Sequence, residues 1–207
     1  MSSTMPDTTQ GSAGLCDLCG ADALEQVYRP EGSARGLTVH LCTHCGLVQS
    51  LPRIDHAPRR AASVSSGADW GNVRYGKGFR AAVAVDRLLP RLSGLDRPRV
   101  LDVGASRGAF IEAFRTVMPQ AEITAVEPDT RVIGAYGADP SVTTIRERIE
   151  EVRLPEAQFD IVHSCHTLEH LRSPADTMRD HWRVLKPGGL LFAEVPSLAF
   201  LDAPDIV

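Results

Sequence analysis

From Phe79 onward the apolar positions of the chain switch repeatedly between a helical and a strand period. Phe79, Ala82, Val83, Val85, Leu88, Leu89 and Leu92 fall at helical spacing, with Pro90 near the end, and predict a helix over Phe79 to Leu92. Arg99 to Val103 is a short apolar run that enters a glycine turn. Glu122 to Val126 is a second such run, closed by Glu127 and Pro128. Between them, Ala109 to Val117 reads as a helix that stops before Pro119. A weaker third strand is predicted at Val142 to Ile145, a fourth at Phe159 to Ser164 and a fifth at Leu190 to Val195. Pro174 to Leu185 reads as a helix with Ser173 at its N-cap and Lys186-Pro187-Gly188-Gly189 as its stop. Strands alternating with helices at this spacing predict an α/β fold: a mostly parallel sheet with helices on both faces.

The first part of the chain has no such rhythm. Residues 1–14 are rich in Ser, Thr, Gly, Asp and Gln and read as a disordered tail. Residues 15–52 carry two cysteine pairs and short extended runs at Glu25 to Arg29 and Leu37 to Leu41. Residues 53–78 mix Pro, Arg, Ser and Gly without a sustained apolar pattern, as a linker does, although Trp70 to Tyr75 is aromatic for one. The expected organisation is therefore a tail (1–14), a cysteine module (15–52), a linker (53–78) and a larger α/β domain (79–207).

Composition narrows the class. Hydrophobic residues make up 43% and charged residues 23%, with a formal net charge of −4, which excludes a disordered chain and a strongly basic nucleic-acid coat. No apolar run approaches the ~20 residues of a membrane-spanning helix, and no cationic start followed by an apolar run marks a secretory signal. A cytoplasmic protein is expected, in which cysteines serve as thiols, metal ligands or catalytic groups rather than disulfides.

The cysteines are placed unevenly. Cys16-Asp-Leu-Cys19-Gly20 and Cys42-Thr-His-Cys45-Gly46 are separated by 22 residues, and Cys165 stands apart. Two residues between thiolates let one tight turn aim both sulfurs at a single ion, and the following glycine relieves crowding where the amides turn back. Two such knuckles complete a tetrahedral four-thiolate shell with no open position. The expectation is a small zinc-ribbon-like module with a structural zinc ion on Cys16, Cys19, Cys42 and Cys45, holding together a segment too small for a core of its own. A redox dithiol would not need two matching knuckles; an iron–sulfur cluster is the other alternative. His44 is expected to point outward, and His40 is a spare candidate ligand.

The turn Val100-Leu-Asp-Val-Gly104-Ala-Ser-Arg-Gly108 is not a dinucleotide fingerprint, since an acid, Asp102, precedes glycines set four apart. The next acid, Glu127, ends the second strand 25 positions after Asp102. Asp102 to Gly108 resembles the first motif of class I S-adenosylmethionine-dependent methyltransferases. Glu127 resembles their second-strand acid, His166-Thr-Leu-Glu-His170 their motif after strand four, and Arg183 to Leu190 the approach to strand five. The paired knuckles followed by Gly46-Leu-Val48 and Pro52 resemble a subgroup with an N-terminal zinc head, common among methyltransferases of sugar and natural-product pathways.

The resemblance implies a Rossmann-like fold and a site for S-adenosylmethionine at Asp102, Gly104, Ala105, Gly108, Glu127 and Pro128. Physical chemistry agrees: glycines let the turn approach the methionyl part closely, and a carboxylate at a strand tip can accept both ribose hydroxyls. The family usually has Gly where Ser106 stands, a departure small enough for the turn to adjust. Glu147 is the nearest candidate for an acid beside the adenine amine, although Arg146 and Arg148 flank it and the register could be off by one. Tyr75 could reach the cofactor carboxylate, or plug the linker's core. Cys165 is expected at the strand end with its backbone near the cofactor.

Methyl transfer is an in-line displacement that needs a positioned acceptor and, for a hydroxyl or carbon acid, a base. His163, Cys165, His166 and His170 fall at or beyond the end of strand four, where an open parallel sheet holds its ligands. His166 is the first candidate base and His170 the second, with a loop-capping role as the alternative. His181 and Trp182 read as packing and surface residues. Arg53, Arg59, Arg60, Arg74 and Lys77 could meet a substrate phosphate or form a solvated basic linker.

The chain ends at Val207, about a dozen residues after the fifth strand. The family normally adds a helix and two strands to reach seven, so the resemblance implies a fragment or truncated product with an unpaired edge strand. The reading is a methyltransferase acting on a small-molecule acceptor, of the class of a nucleotide sugar or a natural-product intermediate. The charge argues against nucleic acid, and nothing points to a membrane. The alternatives are an RNA methyltransferase whose zinc head reads RNA and a non-catalytic cofactor-binding module. Acceptor, methylated atom and oligomeric state stay open.

Overall fold

The computed structural model describes residues 14–29, 31, 36–53 and 71–196, and of residues 71–75 and 77 the backbone alone. The expected tail before Gly14, the linker positions 54–70 with Arg59 and Arg60, and the terminal residues 197–207 lie outside the described residues. So do the side chains of Arg74, Tyr75 and Lys77. The chain divides into two compact units, residues 1–54 with 172–175, and 55–171 with 176–207.

The first unit is a three-stranded antiparallel sheet of β1 (Leu24–Tyr28), β2 (Thr38–Cys42) and β3 (Val48–Leu51), with β2 in the centre. Its interior is unusual. Among its described residues the buried side chains are Cys16, Cys42, His40 and Gln49, while Leu15, Leu18, Val27, Tyr28 and Val48 are exposed. No aliphatic side chain among them is fully buried, although Leu24, Val39, Leu41, Leu47 and Leu51 are half-buried, so apolar burial contributes less than in a domain core and a cross-link at the sulfurs would add to it.

The second unit contains α1 (Gly71–Leu88), β4 (Arg99–Val103), α2 (Ala109–Val117), β5 (Glu122–Val126), β6 (Val142–Ile145), β7 (Phe159–Cys165), all but the first two residues of α3 (Pro174–Val184), and β8 (Leu185–Glu194). All strand pairs are parallel and the order is β6-β5-β4-β7-β8. The expected five-strand, mostly parallel sheet is therefore present. Successive side chains face opposite sides of a strand, and the core follows that period. Val100, Ile123, Ala125 and Ile161 pack under α1 and α2, with Leu88, Phe110 and Phe114. Leu101, Val103, Val126 and Val162 face the other way, towards Val184, Leu185 and the segment Ile149–Leu154. Both faces are covered, which is why these strands read as unbroken apolar runs.

Two element starts differ from expectation by several residues, and other ends shift by a residue or a few. The helix expected at Phe79 begins at Gly71, and Leu89–Arg91 is a separate 3-10 turn where Pro90 interrupts the ladder. Gly71, Gly76 and Gly78 each weaken the helical signal by about 1 kcal/mol relative to Ala, so the sequence pattern begins only after them. The strand expected at Leu190 begins at Leu185, and its pairing shifts register between Phe159 and Ile161. Lys186 to Gly189, which reads as a helix stop, forms that irregular stretch. Lys186 Nζ donates to both oxygens of Asp160 at 2.9 and 2.8 Å, pinning it to β7.

The order reverses at β4: the chain moves from β4 to β5 and β6 on one side, then returns to β7 on the other. In open parallel sheets such a reversal leaves a crevice beyond the carboxyl ends of the strands, where ligands bind.

Candidate cofactor cleft and thiol cluster

The turn after β4 is tied down by backbone bonds. The amides of Gly104 and Ala105 both donate to the carbonyl of Val126, at 2.8 and 3.2 Å, which folds the turn over the end of β5. Gly104, Ser106 and Gly108 all have positive φ, at 76°, 50° and 84°. Glycine is free in that region, whereas Ser106 is held there against its preference. Its amide donates to Glu127 Oε2 at 2.9 Å, and its carbonyl accepts from the Tyr136 hydroxyl at 2.9 Å. Gly104 also leaves no room for a side chain: a Cβ there would stand 2.1 Å from Thr167 Oγ1.

Glu127 is buried, with 3% of its surface exposed, and its other oxygen accepts the amide of Asp129 at 2.9 Å. One backbone amide on each oxygen fixes the plane of the group, and each oxygen can accept more than one donor. The carboxylate opens onto a cleft of about 230 Å³ lined by Val103, Gly104, Pro128, Ile149, Thr167 and Leu171, with Arg131, Arg148 and His170 at its polar positions. Apolar walls with one rigid carboxylate suit a flat heterocycle joined to a sugar diol.

Asp102 and His163 are neighbours across β4 and β7, and Nδ1 of His163 lies 2.7 Å from Asp102 Oδ1. The imidazole stacks on Phe110 at 3.8 Å between centroids and is buried, so His163 sits under α2 rather than in the crevice. The second oxygen of Asp102, Oδ2, is buried without a hydrogen-bond partner among the described residues. A buried lone oxygen of this kind is costly, and a cationic or N–H donor on a ligand would satisfy it.

The expected site residues are not all brought together. Gly104, Glu127, Pro128 and His170 line the cleft. Ala105 and Gly108 lie in the turn, Ala105 buried and Gly108 as the N-cap of α2. Glu147 is exposed and outside the cleft wall, whose next residues, Arg148 and Ile149, take its place. Arg148 forms a close ion pair with Glu150 at 2.8 Å. Cys165 and His166 stand at the end of β7. Burial pushes the Cys165 thiol up to about 11. His166 has its Nε2 3.1 Å from Glu194 Oε1 and its Nδ1 3.4 Å from Glu169 Oε1. Arg148, Ile149, Thr167 and Tyr136 were not legible as site residues. Thr167 lies inside the His166-to-His170 motif, which was the available signal for it.

The four paired cysteines converge. Cys16 and Cys45 sulfurs are 3.5 Å apart, Cys19 and Cys42 3.7 Å, and all four lie within 4.8 Å of one another. A tetrahedron with Zn–S bonds of about 2.3 Å has edges of about 3.8 Å, so the cluster is already at ligand spacing. The knuckles match: Gly20 donates to the Cys16 carbonyl and Gly46 to that of Cys42, both at 2.8 Å with positive φ at the glycine. Burial raises the Cys16 thiol, but the amides of Cys19 and Leu18 outweigh it and bring the group to about 7. The Leu47 amide favours the Cys45 thiolate, yet burial and the other three sulfurs push it up to about 12. One thiolate forms readily while the last is resisted, and a shared cation removes that resistance. His40 is engaged elsewhere, its Nε2 2.7 Å from Thr38 Oγ1, and His44 is exposed.

Comparison with known proteins agrees with the turn and the sheet. A family model described as a methyltransferase domain matches residues 77–205. A probable S-adenosylmethionine-dependent methyltransferase of Mycobacterium tuberculosis is 32% identical over 119 residues, covering 57% of this chain and 42% of the relative. A tRNA U34 carboxymethyltransferase of Citrifermentans bemidjiense is 36% identical over 116 residues, covering 53% of this chain and 35% of the relative. The chain thus spans less than half the length of either. Among solved structures, the plantazolicin methyltransferase BpumL, in complex with SAH (S-adenosylhomocysteine), superposes with a TM-score of 0.52 over 65% of this chain and 56% of that one, at 14% identity, a likeness of fold. No helix among the described residues is long and apolar enough to cross a membrane.

Proposed function

Since the chain belongs to the methyltransferase-domain family, we propose that it binds S-adenosylmethionine in the cleft beside Glu127 and transfers its methyl group to a small-molecule acceptor. The observation that carries this reading is the Glu127 carboxylate, held by two backbone amides in the wall of the cleft. Its rigidity orients both ribose hydroxyls at no further ordering cost. Val103, Pro128, Ile149 and Leu171 enclose the adenine, the glycine turn takes the methionyl part, and Asp102 Oδ2 is the partner for its ammonium. Bound S-adenosylmethionine supplies an activated methyl on a sulfonium leaving group. His166, set between Glu194 and Glu169, is the base for an acceptor proton, and His170 is the second candidate. Cys16, Cys19, Cys42 and Cys45 hold a structural zinc ion that reinforces a unit whose described aliphatic side chains are at most half-buried.

A small-molecule acceptor is favoured by the net charge of −4, which would repel a polyanion. The tRNA-modifying relative supports RNA as the second reading. Calorimetry with S-adenosylhomocysteine, with NAD as control and zinc measured on the same sample, tests the site. Selective binding and at least one zinc per chain are expected; equal binding of NAD, or no binding by a folded chain, refutes the assignment. An acceptor screen led by nucleotide sugars, beside a salt-dependent tRNA gel shift, then separates the two acceptor classes.

A further inference from the structure

Beyond the tetrathiol cluster and the cleft, a second group of ligating side chains converges at the carboxyl ends of β7 and β8. The donor atoms of Cys165, His166 and Glu194 lie within 4.8 Å of one another, and all three residues are half-buried. Cys165 and Glu194 are register partners across the parallel pair, and the His166 amide donates to the Glu194 carbonyl at 2.8 Å. Consecutive residues of a strand normally face opposite sides. His166 has φ of 51°, which breaks the alternation and brings its ring round to the side of the Cys165 sulfur. We propose that Cys165, His166 and Glu194 form a second metal site, for one divalent transition ion of the zinc class.

The donor set is the one such an ion takes: a thiolate, an imidazole and a carboxylate, with a fourth tetrahedral position left for water or a ligand. The surroundings fit as well. A metal-bound histidine usually gives its second ring nitrogen to a carboxylate, which fixes ring orientation. With Nε2 of His166 on the Glu194 side, Nδ1 stands 3.4 Å from Glu169 Oε1. On binding, the Cys165 thiol gives its proton to solvent as the sulfur–metal bond forms. Arg80 is the competitor, with Nε 3.6 Å from the same Glu194 oxygen. The open position would take the oxygen, nitrogen or sulfur of an acceptor, and with His166 on the ion the role of base passes to His170. That use rests on the methyl-transfer reading, whereas the binding of the ion does not.

The test is a cobalt(II) titration of the full chain carrying a single equivalent of zinc, which fills the four-thiolate site, followed by thiolate-to-cobalt charge-transfer absorption and by metal analysis, with Cys165→Ser titrated in parallel. Wild type is expected to bind one equivalent more than C165S, and the difference spectrum should carry a single-thiolate band. Glu169→Gln should weaken that extra equivalent by about tenfold or more, and Glu194→Gln should abolish it. Arg80→Gln, which frees the carboxylate, should tighten it. Equal stoichiometry and identical spectra for wild type and C165S would overturn the proposal. S-adenosylhomocysteine binding measured on the same wild-type sample reports separately on the cofactor reading.

Discussion

Replacing Gly104 by Ala tests the turn and the cleft together. The added Cβ would stand 2.1 Å from Thr167 Oγ1 and 3.1 Å from both Thr167 Cβ and Cγ2, at a residue with φ of 76°. The left-handed backbone alone costs an L-residue about 1–2 kcal/mol. Thr167 must also move. Its hydroxyl now donates between the carbonyls of Val103 (3.2 Å) and Cys165 (3.3 Å), and losing that bond costs about 1 kcal/mol. Gly104→Ala should therefore destabilise by about 2–3 kcal/mol, a large part of the 5–15 kcal/mol typical of a domain. Because both residues line the cleft, S-adenosylhomocysteine binding should be lost with it. Thr167→Ala removes the oxygen and the methyl, leaving Cβ at 3.1 Å. In the double variant the Gly104→Ala change should then cost little beyond its backbone term, with a favourable coupling of about 1 kcal/mol. Urea unfolding of the four proteins measures it. A G104A protein within about 0.5 kcal/mol of wild type, or strictly additive losses, would refute the steric argument.

Other outcomes follow from the same geometry. Glu127→Gln removes the charge and turns an NH2 donor toward one of the two backbone amides, so S-adenosylhomocysteine affinity should fall about 10–100-fold by calorimetry; unchanged affinity would move the ribose elsewhere. Ser106→Gly relieves a residue held at φ 50° and should raise stability to urea by up to about 1 kcal/mol while leaving affinity alone, because the amide to Glu127 is kept. His181 is buried in α3 with Nε2 unpartnered among the described residues, and burial holds it down at about 4. Its folded value lies below the ~6.5 of the unfolded chain, so the unfolded state takes up the proton first as pH falls. The stability this residue preserves above pH ~6.5 should drain away towards pH ~4, by about 3 kcal/mol, and His181→Gln should flatten that part of the pH profile.

What could be read from the sequence, and what could not, divides along a physical line. β4, β5 and β7 are covered on both faces, so they appear as apolar runs, and the residues ending them, Gly104 and Glu127, follow at once. The knuckles are legible because both ligands of each pair come from one tight turn. Features that depend on which strands become neighbours are not. Asp102 and His163 each stand out alone, but their pairing needs β7 beside β4 in a register that puts residues 61 apart opposite one another. The brace from Tyr136 to Ser106 comes from a 3-10 turn too short to carry a period. Glu194 shows no local reason to meet His166 until β8 is laid against β7.

The side of the cleft beyond β6 shows how little displacement such a reading tolerates. Glu147 is the acid that sequence singles out, yet the wall is formed by Arg148 and Ile149. β6 ends at Ile145, and beyond it the Glu151 amide already donates to the Arg148 carbonyl. In extended backbone one residue of displacement moves a side chain to the opposite face. Arg148 is thereby half-buried against Glu150, with its charge matched, while Glu147 faces outward between Arg146 and Arg148 in sequence. The ion-paired guanidinium and Ile149 together form this part of the cleft wall. If the cleft takes S-adenosylmethionine as proposed, apolar enclosure would dominate on this side and the directional polar contacts would fall at Glu127, where the two backbone amides hold the carboxylate in place.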